Sequence, residues 1–266
     1  MHRFQAIFDA CRARGERALM PFVTAGDPDL ATTEALLPAL SAAGADIIEI
    51  GVPFSDPLLD GPVLQVSAQR ALAGGATPPT VMAMVGRVRS AVAAGLLYMV
   101  PFNIVWRYGP GAFAREAAAA GVDGVLITDL PPEEAAEWRA CADAAGVQTI
   151  FLLAPTSSRE RIRLAAELTT GFIYLISRRG VTGAQQGVPA ELGEVIARIR
   201  AETNAPVAVG FGIATADQVR QVAALADGVV VGSALVERIA AAPDQAARVT
   251  AASAMVAELK VGCRAM

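Results

Sequence analysis

Glu49 interrupts an otherwise apolar run, Asp46-Ile47-Ile48-Glu49-Ile50, that has the pattern of a buried strand. A carboxylate is costly in such a run unless something uses it. Eleven residues on, Asp60 lies in the loop Gly51-Val52-Pro53-Phe54-Ser55-Asp56-Pro57-Leu58-Leu59-Asp60-Gly61-Pro62. Proline fixes φ and aspartate bonds its own backbone, so this loop is expected to hold a defined shape at the C-terminal end of the strand. One carboxylate in a strand and another in a shaped loop beyond it suit acid–base chemistry on one small molecule. A strand-end glutamate in a salt bridge, followed by an ordinary Asp-Gly turn, is the plain alternative.

The rest of the composition narrows the chemistry. The only histidine is His2 and the only lysine is Lys260, near the two ends of the 266 residues. A Ser-His-Asp triad, a histidine zinc site and a histidine base are therefore not expected. Schiff-base aldolase chemistry and pyridoxal phosphate need a lysine in the site, and no strand offers one. Neither G-x-x-x-x-G-K-[ST] nor G-x-G-x-x-G occurs, which argues against nucleotide and dinucleotide binding. Cys11, Cys141 and Cys263 have no metal-ligand spacing and are expected as reduced thiols in a cytoplasm. A net charge of −4 without a basic cluster disfavours nucleic acid and anionic membranes as partners. No apolar run reaches the ~18 residues of a membrane span, and the first residues, amphipathic and carrying Asp9, are unlike a signal peptide. Carboxylates, hydroxyls and backbone amides remain, with no cofactor.

These groups need a scaffold, and the sequence alternates short apolar runs with alanine-rich amphipathic stretches. Strands are expected at Leu19–Thr24, Asp46–Val52, Leu96–Phe102, Gly124–Asp129, Gln148–Leu153, Phe172–Ser177, Pro206–Gly210 and Asp227–Val231. Helices are expected at, among others, Leu30–Ala43, Pro79–Ala93, Pro132–Ala145 and Ala190–Glu202, with glycine ends at Gly44, Gly121, Gly146 and Gly171. With 54% hydrophobic residues and no linker, the chain is expected to form a single domain over 1–266. Its fold class is α/β, a (β/α)₈ TIM barrel with an extra N-terminal helix and elongated loops after strands two and six.

In such a barrel the C-terminal strand ends carry the site. That rim gathers Thr24, Glu49, Asp60, Asn103, Asp129 and Tyr174 with Gly210-Phe211-Gly212 and Gly232-Ser233. Glycines after the last two strands, and a helix opening at Ser233, suit a phosphate. Phe22 and Phe211 are candidate flat walls for an aromatic substrate. Three glycines between Ser177 and Gly187 suggest a lid.

Taken together, Pro21 through Pro28, Glu49 through Gln65, Tyr174 through Gly183, Gly210-Phe211-Gly212-Ile213 and Gly232-Ser233-Ala234 resemble the signatures of the tryptophan synthase alpha chain family. The resemblance runs from about residue 4 to 240. It implies a lyase that cleaves indole-3-glycerol phosphate to indole and glyceraldehyde 3-phosphate, as the alpha subunit of an α₂β₂ heterotetramer with a beta subunit. By resemblance, Glu49 protonates the indole ring and takes the glycerol hydroxyl proton, Asp60 holds the indole N–H, and Tyr174 stands beside them. Thr182 matches a lid residue, and Gly183, Gly212, Gly232 and Ser233 match phosphate donors. Phe22, Asp129 and Phe211 complete the expected substrate contacts. Leu59, Arg179, Pro101 and Phe102 depart from the family pattern at positions bordering the lids or the beta-subunit surface. A stand-alone indole-releasing lyase and a non-catalytic allosteric module for the beta subunit are the alternatives. A phosphate-binding isomerase of the same fold is a further one, disfavoured by the Pro53–Pro62 loop.

Overall fold

In the computed structural model, which describes residues 2–57, 60–176, 191–210 and 212–264, eight parallel strands close into a barrel in sequence order. The chain opens with α1 (Arg3–Ala13), β1 (Ala18–Thr24), α2 (Leu30–Ala42), β2 (Ile47–Gly51), α3 (Pro62–Ala73) and α4 (Pro78–Val88). It continues through β3 (Gly95–Val100), α5 (Phe102–Tyr108), α6 (Pro110–Ala119), β4 (Gly124–Ile127), α7 (Ala136–Ala145) and β5 (Gln148–Leu153). The second half contains α8 (Arg159–Leu168), β6 (Ile173–Ile176), α9 (Leu192–Arg200), β7 (Val207–Gly210) and α10 (Ala216–Ala223). It ends with β8 (Gly228–Val231), α11 (Ser233–Ala241) and α12 (Gln245–Gly262). Closure comes from β1 pairing with β2 on one side and β8 on the other.

Strand alternation divides each run into two faces. Met20, Ile47, Leu97, Leu126, Ile150, Tyr174, Ala208 and Val230 pack together inside the barrel. Their neighbours in sequence, such as Leu19, Ile48, Leu96, Val125 and Val229, pack outward with the helices. Both faces are apolar, which is why the strands appear in the sequence as continuous hydrophobic runs.

The extra N-terminal helix closes the bottom of the barrel. Phe4 and Phe8 of α1 meet Phe172 edge-on, with centroids 5.6 and 5.5 Å apart. They fill space that the first residues of the strands leave open: a Cβ on Gly124 would lie 2.4 Å from the Phe4 ring. The Phe4 N–H donates to the buried Gln148 side chain at 3.0 Å, so the plug is fixed in direction as well as packed. Phe4→Ala removes a fully buried ring from this layer and is expected to destabilise the protein by about 3–5 kcal/mol. Urea titration checks this, and a midpoint unchanged from wild type would show that the plug is dispensable.

Lys260 lies on α12 at this same end, where its Nζ meets Asp46 Oδ2 at 2.6 Å and Glu16 Oε2 at 3.3 Å. Asp46 immediately precedes β2, so the only lysine is held at the opposite end of that strand from Gly51. Cys11 and Cys263 are buried free thiols there, pushed up to about 12 chiefly by burial, and are poor nucleophiles.

Several boundaries differ from those expected: β4 stops at Ile127 rather than Asp129, and most other strand ends shift by a residue. Strand three stops at Val100, because Pro101 becomes the N-cap of α5 and Asp129 Oδ1 accepts the Phe102 N–H at 2.6 Å. The stretches 79–93 and 132–145 each include a short 3₁₀ turn, Arg89–Ala91 after α4 and Pro132–Glu134 before α7. Gly44, Gly121 and Gly146 have positive φ at helix ends. Gly171 does not: its Cβ position is occupied by Ile150 and Phe4 at 3.2 Å, so it makes room for the plug.

Candidate active site

At the other end of the barrel the inward positions become chemical. Phe22 and Glu49 are register partners on β1 and β2. Both point inward because they continue the alternation of Met20 and Ile47. Glu49 is 1% exposed, and its Oε1 has no hydrogen-bond partner among the described residues. Burial, reinforced by the charge of Asp60, raises its carboxyl to about 8, so it holds its proton at neutral pH. Asp60 is raised to about 6 by burial alone and is mostly ionised at the same pH. Two carboxyls within electrostatic reach are thus set apart, one as an acid and one as a base.

Tyr174, on β6, completes this group. Its phenol is raised well above its ordinary value by burial and by the charges of Glu49 and Asp60, which keeps it a neutral donor. Its ring lies against Gly210, where a Cβ would stand 2.5 Å from the phenol oxygen. Gly51 does the same for Phe22, whose ring edge would be 2.5 Å from an added Cβ. Strand-end glycines therefore make room for the two rings.

Two adjoining cavities open over these residues, with Phe22, Leu64 and Met99 lining both. The larger, about 390 Å³, includes Asp60, Thr24 and Asp129 and lies within the roughly 300–1,000 Å³ of small-molecule pockets. The smaller, about 50 Å³, runs from Glu49 and Tyr174 to Gly212, Gly232 and Ser233. Gly232 is the N-cap of α11 and supplies no side-chain cap, while Gly212 has φ 75°. The start of α11 beside a turn glycine is suited to receive an anion, since backbone N–H groups and the helix dipole favour negative charge there.

The structure thus brings Glu49, Asp60, Tyr174, Phe22, Gly212, Gly232 and Ser233 to one cleft. Asp129 lines the larger cavity, but one of its oxygens accepts the first N–H of α5. Asn103 lines that cavity too, from α5. Leu59, Arg179, Thr182, Gly183 and Phe211 lie outside the described residues. Sequence reasoning does not single out Leu64 and Met99, which line both cavities. Met99 has a signal in the alternation from Leu97, whereas Leu64 has none before α3 is placed against the cleft.

A family model described as tryptophan synthase alpha chain matches residues 8–264. The chain is 54% identical over 237 residues to a tryptophan synthase alpha chain of Geobacter sulfurreducens, covering 89% of this chain and 90% of that one. It is 48% identical over 265 residues to that of Geotalea daltonii, covering 100% of both. A solved structure of Mycobacterium tuberculosis tryptophan synthase superposes with a TM-score of 0.91 at 38% identity, covering 98% of each chain. With its cleft and its full-length matches in agreement, the chain belongs to the tryptophan synthase alpha chain family.

Proposed function

We propose that Glu49, Asp60 and Tyr174 carry the alpha reaction in this cleft, the cleavage of indole-3-glycerol phosphate to indole and glyceraldehyde 3-phosphate. The observation that carries this reading is the buried carboxyl of Glu49 at the cleft, with one oxygen unpartnered among the described residues and the Asp60 carboxyl lining the neighbouring cavity. Glu49 gives its proton to ring carbon 3, and the positive charge that develops on the ring nitrogen is stabilised by the Asp60 carboxylate. The Glu49 carboxylate then takes the proton of the adjacent glycerol hydroxyl. The carbon–carbon bond breaks, its electron pair returns to the ring, and the former alcohol carbon becomes the aldehyde. Glu49 ends protonated, as it began. Tyr174 stands as a neutral phenol beside Glu49, and Phe22, Leu64 and Met99 provide apolar walls for the indole.

Phosphate recognition is assigned to Gly212, Gly232 and Ser233. Ser233→Asp puts a negative charge at the start of α11 and is expected to raise KM for the phosphorylated substrate at least tenfold. Affinity for indole itself is expected to stay within about twofold. Indole release and an indole-binding titration read the two, and equal losses would refute a phosphate-specific role. Thr182, Gly183, Phe211 and Asp129 remain assigned as substrate contacts, with Ser177 through Gly187 as the lid.

Residues 1–266 are assigned to one domain, acting in the cytoplasm as the alpha part of an α₂β₂ complex with a beta subunit. Three free cysteines fit a reducing compartment. Trp106, 60% exposed and 6.1 Å from the Phe102 ring, presents apolar surface beside the cleft, as a docking face would. A mass measurement on the mixture with its beta subunit tests the stoichiometry, and separate species would rule it out.

A further inference from the structure

Helix α3 begins two residues after Asp60, with Gly61 between them as its N-cap. It leans on β1 and α11 at the rim, and that N-cap offers no side chain. Gln65 Nε2 donates to the Asp60 carbonyl at 2.8 Å, so Asp60 moves with the first turn of the helix. Leu64 and Ala68, four residues apart, face the cleft. Ser67 and Arg70, three apart, instead meet the loop after β1. Asp27 in that loop is 5% exposed and has both oxygens engaged. Arg70 Nε and Nη2 donate to Oδ1 and Oδ2, each at 2.7 Å, and Ser67 Oγ donates to Oδ2 at 2.5 Å.

The loop is itself fixed to the barrel. The Gly26 N–H donates to the buried Thr33 hydroxyl at 2.9 Å, and Asp29 caps α2 by accepting the Thr32 N–H at 2.7 Å. A two-pronged arginine–carboxylate pair defines direction as well as distance, which a point charge does not. Covalent continuity then runs from β1, which holds Phe22, to Asp27, and a side-chain bridge crosses to the helix that begins just past Asp60.

We propose that Asp27 and Arg70 are positioning residues that fix the register of α3 against β1 and thereby place the Asp60 carboxylate over the ring-binding cleft. The inference rests on the role given to Asp60 above. Neither residue is assigned contact with substrate.

A double-mutant cycle on the full chain, assayed by indole release, tests it. Arg70→Met alone is expected to lower kcat about tenfold while KM stays within threefold, because the phosphate groups lie beyond β7 and β8. In an Asp60→Asn background the same substitution is expected to cost less than twofold, since the group it positions has lost its charge. Arg70→Lys keeps the charge without the fork and is expected to recover only part of kcat. Asp27→Asn, nearly isosteric, repeats the cycle if Arg70→Met does not fold, with circular dichroism as the check. An unchanged kcat in the single variant, or the same factor lost in both backgrounds, overturns the inference. An Asp60→Asn enzyme with wild-type turnover overturns the underlying assignment instead, and removes the inference with it.

Discussion

Glu49→Gln is expected to lower kcat by at least ~10²-fold, because a positioned acid–base group contributes roughly 10²–10⁴ and glutamine neither gives nor takes a proton. The amide has nearly the carboxyl's shape, so the cleft keeps its walls and binding of a glycerol phosphate analogue is expected to persist. Stability supplies a second signature. The folded protein holds the Glu49 proton up to about pH 8, whereas the unfolded chain releases it near 4.5. Between those values the native state binds more protons, so this group makes stability fall as pH rises from about 4.5 to about 8. The variant lacks that contribution, and urea midpoints across the range compare the two slopes. Near-wild-type turnover in Glu49→Gln would remove the residue from the mechanism.

The position of Glu49 was legible for a simple reason: a carboxylate among isoleucines is conspicuous. The barrel was legible on the same principle, since strands covered on both faces appear as unbroken apolar runs. Where a local rule and a distant partner compete, the sequence is silent. Pro101-Phe102 continues an apolar strand run, and the carboxylate of Asp129, from the loop after the next strand, helps turn it into a helix start. Gly171 has the look of a helix end, but it is small to admit Phe4 from the other end of the chain. Leu64 is one apolar helix residue among many until α3 is laid against the cleft. Asp27 stands in a turn-forming stretch, and nothing local distinguishes it from an aspartate that only shapes a turn. Its arginine arrives forty-three residues later. Chemistry written in one residue type at one position can be read directly; chemistry that depends on two segments meeting cannot.

Asp60→Asn is expected to lower kcat at least ~10²-fold as well, but with a different pH signature. Wild-type kcat/KM requires Asp60 ionised and Glu49 protonated, so it rises through about pH 6 and falls through about pH 8. The two limbs belong to a coupled pair, since the charge of Asp60 helps raise Glu49. Asparagine removes the ionisation at position 60, and the limb near 6 is expected to vanish. It also removes a negative charge beside Glu49, which then loses its proton more easily. The basic limb is therefore expected to move below 8, yet to stay above 4.5 because burial, the larger cause, is unchanged. The residual activity of Asp60→Asn would be highest in acid and decline earlier on the alkaline side than that of wild type. Glu49→Gln gives the complementary result, keeping whatever acid limb its residual rate can show. The measurement is kcat/KM for indole-3-glycerol phosphate from pH 5 to 9 in both variants. A basic limb that stays at wild-type pH in Asp60→Asn would mean that the two carboxyls do not interact, and the division of roles between them would fail.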